Sequence, residues 1–289
     1  MSLFISSAWL DYENLDIKSK IEKIVSNGFK NVELSGGEVF YENMLEDILY
    51  LQKKYNINYI IHNYFPPPHK DFVLNIASEN KENLNRSVNF VKENIELVSQ
   101  FNNKLYTFHA GYSKKLSVNK NGYFKPDPGG IDWKKTYQVF YKSLDDILSF
   151  AVEKQVKIGI ENLFPYNEVE NYSIMCSKEE IEELLDKYKD NKYLGLLLDL
   201  GHLNVAAHYM KFDKYETLDF LINKYRKKIF EIHLSENDGS QDAHLPVQLD
   251  GWQIDIIKKY SLFDKPIVIE AKGLTFDKYK RVINELEGE

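Results

Sequence analysis

The chain has 289 residues, 43% of them hydrophobic, which suits one large α/β domain with a substantial core. Its 37 basic and 44 acidic residues leave a formal net charge of −7, which disfavours a chain whose main work is gripping a polyphosphate backbone, and only Arg86, Arg226 and Arg281 are available as bidentate phosphate clamps. A single cysteine, Cys176, excludes an internal disulfide framework; no apolar run reaches the ~18 residues of a membrane span; and the start "MSLFISSAWLDYENLD" lacks the basic region of a signal peptide, so a cytoplasmic protein is expected.

The first apolar run, "LFISSAW" (3–9), predicts a strand. "LDIKSKIEKIVSNG" follows with helical spacing and stops at Gly28. Strands are then predicted at "NVELSG" (31–36) and "YIIHNY" (59–64). After them comes a long loop, "FPPPHKDFVLNIAS" (65–78), in which Pro66, Pro67 and Pro68 suggest a stiff wall. "ENLNRSVNFVKENIELVSQF" is helical, and "LYTFHAG" (105–111) is the fourth strand. A second long loop, "YSKKLSVNKNGYFKPDPGG" (112–130), reads as a lid with Gly122, Gly129 and Gly130 as its flexible points. "WKKTYQVFYKSLDDILSFAVEK" is helical and "KIGIEN" (157–162) is a strand. Cys176 lies in a polar loop and reads as incidental. Ser177 reads as an N-cap with Glu180 at the third position of the helix "SKEEIEELLDKY". The last strands are "LGLLLDLG" (194–201), "IFEIHLSE" (229–236) and "PIVIEAKG" (266–273).

Strands alternating with helices imply a parallel sheet, and eight such units in a chain of this length predict an α/β fold of the (β/α)8 TIM-barrel type, as a single domain over 1–289. The alternative, an open doubly wound sheet, is weakened because no glycine-rich phosphate turn follows the first strand.

The ionisable residues follow the strands. His62, His109, Glu161, Asp199, His233 and Glu270 each fall at or near the C-terminal end of a strand, from the third to the eighth. His202, Asp242 and His244 follow close behind in the adjoining segments. A lone histidine there is more often structural than functional. Six successive strands ending this way must pair their charges or hold a metal. Mixed imidazole and carboxylate donors suit a divalent transition ion such as Zn, Mn, Fe, Co or Ni. Strand alternation places Lys272 on the face of Glu270, either holding a substrate oxygen or pairing with a carboxylate. Trp9 is expected to line the pocket, whereas most other aromatics, such as Tyr12, Tyr64, Phe65, Tyr112, Tyr123, Phe124 and Tyr166, suit ordinary packing.

The segments "GIEN", "LLLDLGH", "EIHLSENDG" with the following "DAH", and "IVIEAKG" resemble the xylose isomerase-like barrel superfamily over nearly the whole chain. That superfamily includes sugar isomerases and epimerases, inosose dehydratases and the endonuclease IV group. The epimerase pattern implies one divalent metal on Glu161, Asp199, His233 and Glu270, with His202 binding substrate and Glu161 and Glu270 exchanging protons through an enediolate. The endonuclease IV pattern implies three zinc ions on His62, His109, Glu161, Asp199, His202, His233, Asp242, His244 and Glu270, and all of these residues are present. Three departures favour the first pattern: "SENDGSQD" stands where the nucleases carry "NDSK", the chain is acidic, and "HNYFPPP" differs from the loop that the repair enzymes use on DNA.

The expected function is therefore a metal-dependent isomerase or epimerase of a sugar or sugar phosphate, with one ion expected and up to three allowed. A multi-zinc phosphoesterase and a sugar or inosose dehydratase are the alternatives, and a decayed, purely binding barrel is a third reading. Which glutamate is the base stays open. Nucleic acid and membrane partners are not expected, and association of copies through the outer helices is compatible with the fold.

Overall fold

The computed structural model describes residues 2–8, 10, 15–118, 124–127, 129–167 and 170–287. Eight parallel strands close into a barrel: β1 (Ser2–Ser6), β2 (Asn31–Leu34), β3 (Asn58–His62), β4 (Leu105–His109), β7 (Lys157–Glu161), β8 (Leu194–Asp199), β9 (Ile229–Leu234) and β10 (Pro266–Ile269), with β1 bonded to both β2 and β10. Closure rules out the open doubly wound sheet. Around the barrel lie α1 (Ile17–Ser26), α2 (Met44–Tyr55), α3 (Lys81–Val98), α4 (Trp133–Lys154), α5 (Lys178–Lys187), α6 (Leu200–Met210), α7 (Lys214–Tyr225), α8 (Trp252–Lys259) and α9 (Phe276–Glu287). Among the described residues, no helix is long and apolar enough to cross a membrane.

The four helices read from spacing, α1, α3, α4 and α5, form where it puts them. In α4, Asp132 caps the first turn by accepting from the Lys135 N–H at 3.0 Å, and Phe140, Leu144, Ile147, Leu148 and Ala151 make the buried stripe. At α5 the reciprocal capping box is complete. The Glu180 N–H donates to Ser177 Oγ at 3.2 Å, and the Ser177 N–H donates to the Glu180 carboxylate at 2.9 Å. Ser177→Ala is expected to cost about 1 kcal/mol, read as a lower urea midpoint at unchanged slope. Cys176, just before this cap, is buried rather than set in a solvated loop, and burial pushes its thiol well above the ordinary value. That supports the incidental reading.

Every predicted strand overruns its observed C-terminal end, because the chain turns into the rim there. At β8 the cause is specific. The strand stops at Asp199 rather than Gly201, because the Asp199 carboxylate accepts the His202 N–H at 2.6 Å and starts α6 at Leu200. The strand reading had no place for α6. Similarly, β10 ends at Ile269, so strand alternation does not extend to Lys272, whose side chain is exposed.

The two long loops are tied together. Asn75 donates from its amide to the Tyr112 carbonyl at 2.8 Å, and its Oδ1 accepts the Tyr112 and Ala77 N–H groups, each at 3.0 Å. Gly111, at φ +126°, lies so close that a Cβ there would stand 2.6 Å from Asn75 Oδ1. Phe65–Pro66 is cis, and Pro66, Pro67 and Pro68 are half-buried. The loop read as a lid contains a short antiparallel hairpin, β5 (Leu116–Val118) with β6 (Phe124–Pro126), that the sequence reading passed over. Gly129 and Gly130 are exposed, and Gly122 lies outside the described residues.

The barrel interior changes character along its axis. Phe4, Ile60, Leu105, Phe230 and Val268 form an apolar cluster separate from the main core. Ile60 precedes His62, Leu105 precedes Thr107 and Val268 precedes Glu270 by two residues each, so these pairs share the inward face. Apolar side chains therefore plug one end and ionisable ones gather toward the C-terminal mouth, where barrel active sites form.

Candidate metal centre

Glu161 ends β7, fully buried. Its Oε2 stands 3.1 Å from His109 Nε2 and 3.5 Å from His62 Nε2, and its Oε1 stands 3.2 Å from His202 Nδ1. His233, next to last in β9, is also fully buried, with Nδ1 3.3 Å from Glu270 and 3.9 Å from Asp199 Oδ2. The third grouping lies over the rim. His202 Nε2 and His244 Nε2 face the same Asp242 oxygen, at 3.4 and 2.8 Å. All the predicted ligand candidates are thus gathered at one mouth. Ligand atoms fall within 4.8 Å of one another in the sets His62–His109–Glu161, Glu161–Asp199–His202 and Asp199–His233–Glu270.

Backbone groups orient two of these rings. His202 Nδ1 lies 2.9 Å from the Asn162 carbonyl, and His244 Nδ1 lies 2.9 Å from the Glu270 carbonyl. A carbonyl only accepts, so each Nδ1 carries a hydrogen, and each Nε2 is turned to Asp242 across the shared space.

The electrostatics are those of a crowded carboxylate–imidazole cluster. Burial opposes ionisation of Glu161, but His109, His62 and His202 outweigh it and hold the carboxyl well below the usual range. Burial likewise opposes ionisation of Glu270, yet His233 brings it down to about 2. Asp199 goes the other way: burial, with Glu161 and Glu270 nearby, pushes it up to about 6 against His202 and His233. Burial draws His62 down, whereas at His233 the carboxylates of Glu270 and Glu33 overcome burial and push it well up.

The residues fit a divalent ion. Among the described residues, both oxygens of Glu161, Oδ2 of Asp199, Oδ1 of Asp242 and Nδ1 of His233 are buried without a hydrogen-bond partner. Such atoms are costly to bury unless something else occupies them. The N/O donor set suits a transition ion. Asp199 shows the division of labour: Oδ1 caps α6, and Oδ2 is left over for the site.

A cavity of about 550 Å³ opens on this cluster at His109, His202 and Asp242. Its walls include Tyr112, Phe164, Tyr166, Tyr172 and Tyr209 rather than the three prolines. Tyr112 and Tyr166, read as packing residues, are walls; Phe164, with its ring 4.8 Å from that of His202, was missed. Tyr64 does pack, against Phe72 and Phe90. Trp9 lies outside the described residues. Lys272 bonds His244 through its backbone, its N–H donating to the carbonyl at 2.9 Å.

Two fully buried carboxylates escaped the sequence reading: Glu33 in β2 and Glu231 in β9, both against His233 Nε2 at 3.0 and 3.4 Å. The signal was present. Glu33 interrupts the apolar run "NVEL", and Glu231 shares the strand face of His233 two residues later.

Gly201 in the "LLLDLGH" segment is fixed by contact: a Cβ there would stand 2.3 Å from Ser235 Oγ and 3.2 Å from Asp199 Oδ1. Gly201→Ala is expected to cost about 1–3 kcal/mol through overpacking and to disturb Asp199. A lower urea midpoint together with weaker metal retention would show both effects.

The chain matches a family model described as "Xylose isomerase-like TIM barrel" over residues 21–278. An uncharacterized protein of Methanocaldococcus jannaschii is 23% identical over 283 residues, covering 93% of this chain and 86% of that one. The apurinic-apyrimidinic endonuclease 1 of Plasmodium berghei is 24% identical over 254 residues, 81% of this chain but 44% of the relative. A crystal structure of a D-tagatose 3-epimerase-like protein superimposes with a TM-score of 0.73 at 21% identity, covering 100% of this chain and 97% of the other, which is a likeness of fold. The chain belongs to the xylose isomerase-like TIM-barrel family, and its buried ligand clusters mark it as a metal-dependent enzyme of that family.

Proposed function

We propose that the chain is a divalent-metal-dependent isomerase or epimerase acting on a sugar or sugar phosphate. The observation that carries this reading is the cavity. At about 550 Å³ it suits a small molecule, it is walled by aromatic rings, and it opens directly on the ligand cluster. Among its described lining residues there is no lysine or arginine, so it offers a polyanion little beyond the cluster itself. Arg86 and Arg226 are engaged with backbone carbonyls and do not line it.

In this reading Glu161, Asp199, His233 and Glu270 hold one ion. When bound, it supplies Lewis-acid stabilisation of negative charge developing on adjacent substrate oxygens. The chain's own carboxylates move the proton. One of Glu161 and Glu270 takes it from the carbon beside the carbonyl and becomes a carboxylic acid, and the other, once protonated, delivers one to the opposite face. Both are ionised near neutrality, so either can start as the base. His202 and His244 orient substrate hydroxyls, and Trp9 and Lys272 are further substrate contacts. The same proton removal followed by loss of a β-hydroxyl would make the enzyme a dehydratase.

Solvent deuterium tests the reading. Candidate ketoses and their phosphates are incubated with the metal-loaded protein in D2O and analysed by mass spectrometry. One deuterium at the carbon beside the carbonyl, in recovered substrate and in epimer, is expected. No exchange in any sugar, with hydrolysis of small phosphate esters or abasic-site DNA, would overturn it.

A second reading, metal-dependent phosphoester hydrolysis, is favoured by one specific observation. The candidate ligands sort into more sets than one ion needs, with His202 and His244 converging on Asp242 apart from Glu270 and His233.

A further inference from the structure

We infer that two buried residues outside the ligand set, Glu231 and Thr107, are positioning residues that fix which nitrogen of His62 and of His233 carries the hydrogen, and so which nitrogen of His233 faces the metal. This rests on the metal-binding reading of the site above. Thr107 and Glu231 are fully buried, on β4 and β9.

At His62 the proton can be traced. The His109 N–H donates to Asn63 Oδ1 at 3.0 Å, which fixes the orientation of that amide. Its Nδ2 is therefore a donor, and it points at His62 Nε2 from 2.6 Å. Nε2 consequently carries the lone pair and Nδ1 the hydrogen. Nδ1–H donates to Thr107 Oγ1 at 3.1 Å, and the Thr107 hydroxyl donates onward to Glu231 Oε2 at 2.8 Å. The chain of donors ends on a carboxylate, which only needs to accept.

At His233 the order is reversed. Nε2 faces inward onto Glu33 at 3.0 Å and Glu231 at 3.4 Å. Nδ1 faces Glu270 and Asp199 and has no hydrogen-bond partner among the described residues. Glu231 Oε1 accepts from Nε2 and leaves Nδ1 to the ion, whereas both oxygens of Glu33 are buried without a hydrogen-bond partner. One carboxylate thus serves two rings of opposite sense: through Thr107 it holds Nδ1–H of His62, and directly it holds Nε2–H of His233. Carboxylates that hold the far nitrogen of a ligating histidine both aim the ring and raise its basicity.

Glu33, His62 and His233 also lie close enough together to be read as ligands of an ion of their own. Glu33, with both oxygens unpartnered, is therefore counted with the candidate ligands rather than with the positioning residues.

The test uses zinc-loaded protein with 15N-labelled histidine, zinc affinity by competition with a chromophoric chelator, and zinc per chain by elemental analysis. Long-range 1H–15N correlations are expected to show Nε2–H at His233 and Nδ1–H at His62. Glu231→Leu should weaken zinc by about 10- to 100-fold at unchanged stoichiometry, and Glu231→Gln, whose amide oxygen still accepts, should recover most of it. Thr107→Val should perturb the His62 signals and leave His233 in place. Zinc on Nε2 of His233 in the wild type, or unchanged affinity in a folded Glu231→Leu protein, overturns the inference. Loss of a whole ion per chain in Glu231→Gln makes Glu231 a ligand and overturns it too. If Glu231→Leu does not fold, the wild-type tautomers and the Gln and Val variants still decide. A wild type that binds no zinc refutes the metal-binding reading of the site, an outcome distinct from zinc bound through the wrong nitrogen.

Discussion

Glu161→Gln should reduce turnover by at least about three orders of magnitude and strip most of the metal, while the protein stays folded. Gln keeps the shape and removes the charge. Glu161 is the carboxylate on which the cluster converges, with His109, His62 and His202 all 3.1–3.5 Å from its oxygens. It belongs to two of the ligand sets, so its neutralisation weakens both. In the proposed reaction it is also a proton-transfer group, and general acid–base catalysis alone contributes about 10²–10⁴-fold. The checks are turnover, elemental analysis and a circular dichroism spectrum on the same preparation. Full metal content with wild-type turnover would remove Glu161 from the site.

Chelation should lower the melting temperature, and re-addition of a divalent transition ion should restore it. The reason is linkage: an ion that binds only the folded state at 100–1,000 times its Kd stabilises by about 2.7–4.1 kcal/mol. In a barrel of this size that is on the order of 5–15 °C. The gain should fade in acid. Asp199 is pushed up to about 6, so below that pH its carboxyl holds a proton that the ion must displace, and affinity falls as pH drops through this value. Thermal scans with and without metal, across pH 5 to 8, measure both effects. Elemental analysis of the same protein separates the two functional readings: about one ion per chain supports the isomerase, two or three the phosphoesterase.

How much of this was legible beforehand differs by residue. Each strand could be placed because a continuous apolar run between helical stretches has few other readings. Their ends could not, because a residue such as Asp199 stops a strand by capping a helix, and that hydrogen bond is invisible in a run like "LLLDLGH". Six of the ligand candidates stood out because each falls at or near the end of an apolar strand, and His202, Asp242 and His244 because they follow closely. Glu33 and Glu231 did not, because they lie one layer deeper, where a carboxylate makes sense only once its partner is known to be His233.

The sequence alone determined the alternation of strands and helices, and hence a barrel whose strand ends share one mouth. It also determined the identity of the ionisable residues brought there, because periodicity and side-chain chemistry are local properties. Tertiary structure decided the rest: that the sheet closes, that Asn75 ties two distant loops together, that Tyr112, Phe164 and Tyr172 enclose a cavity, and which nitrogen of each histidine faces the centre. Those depend on distances between residues far apart in the chain, and only a folded backbone sets such distances.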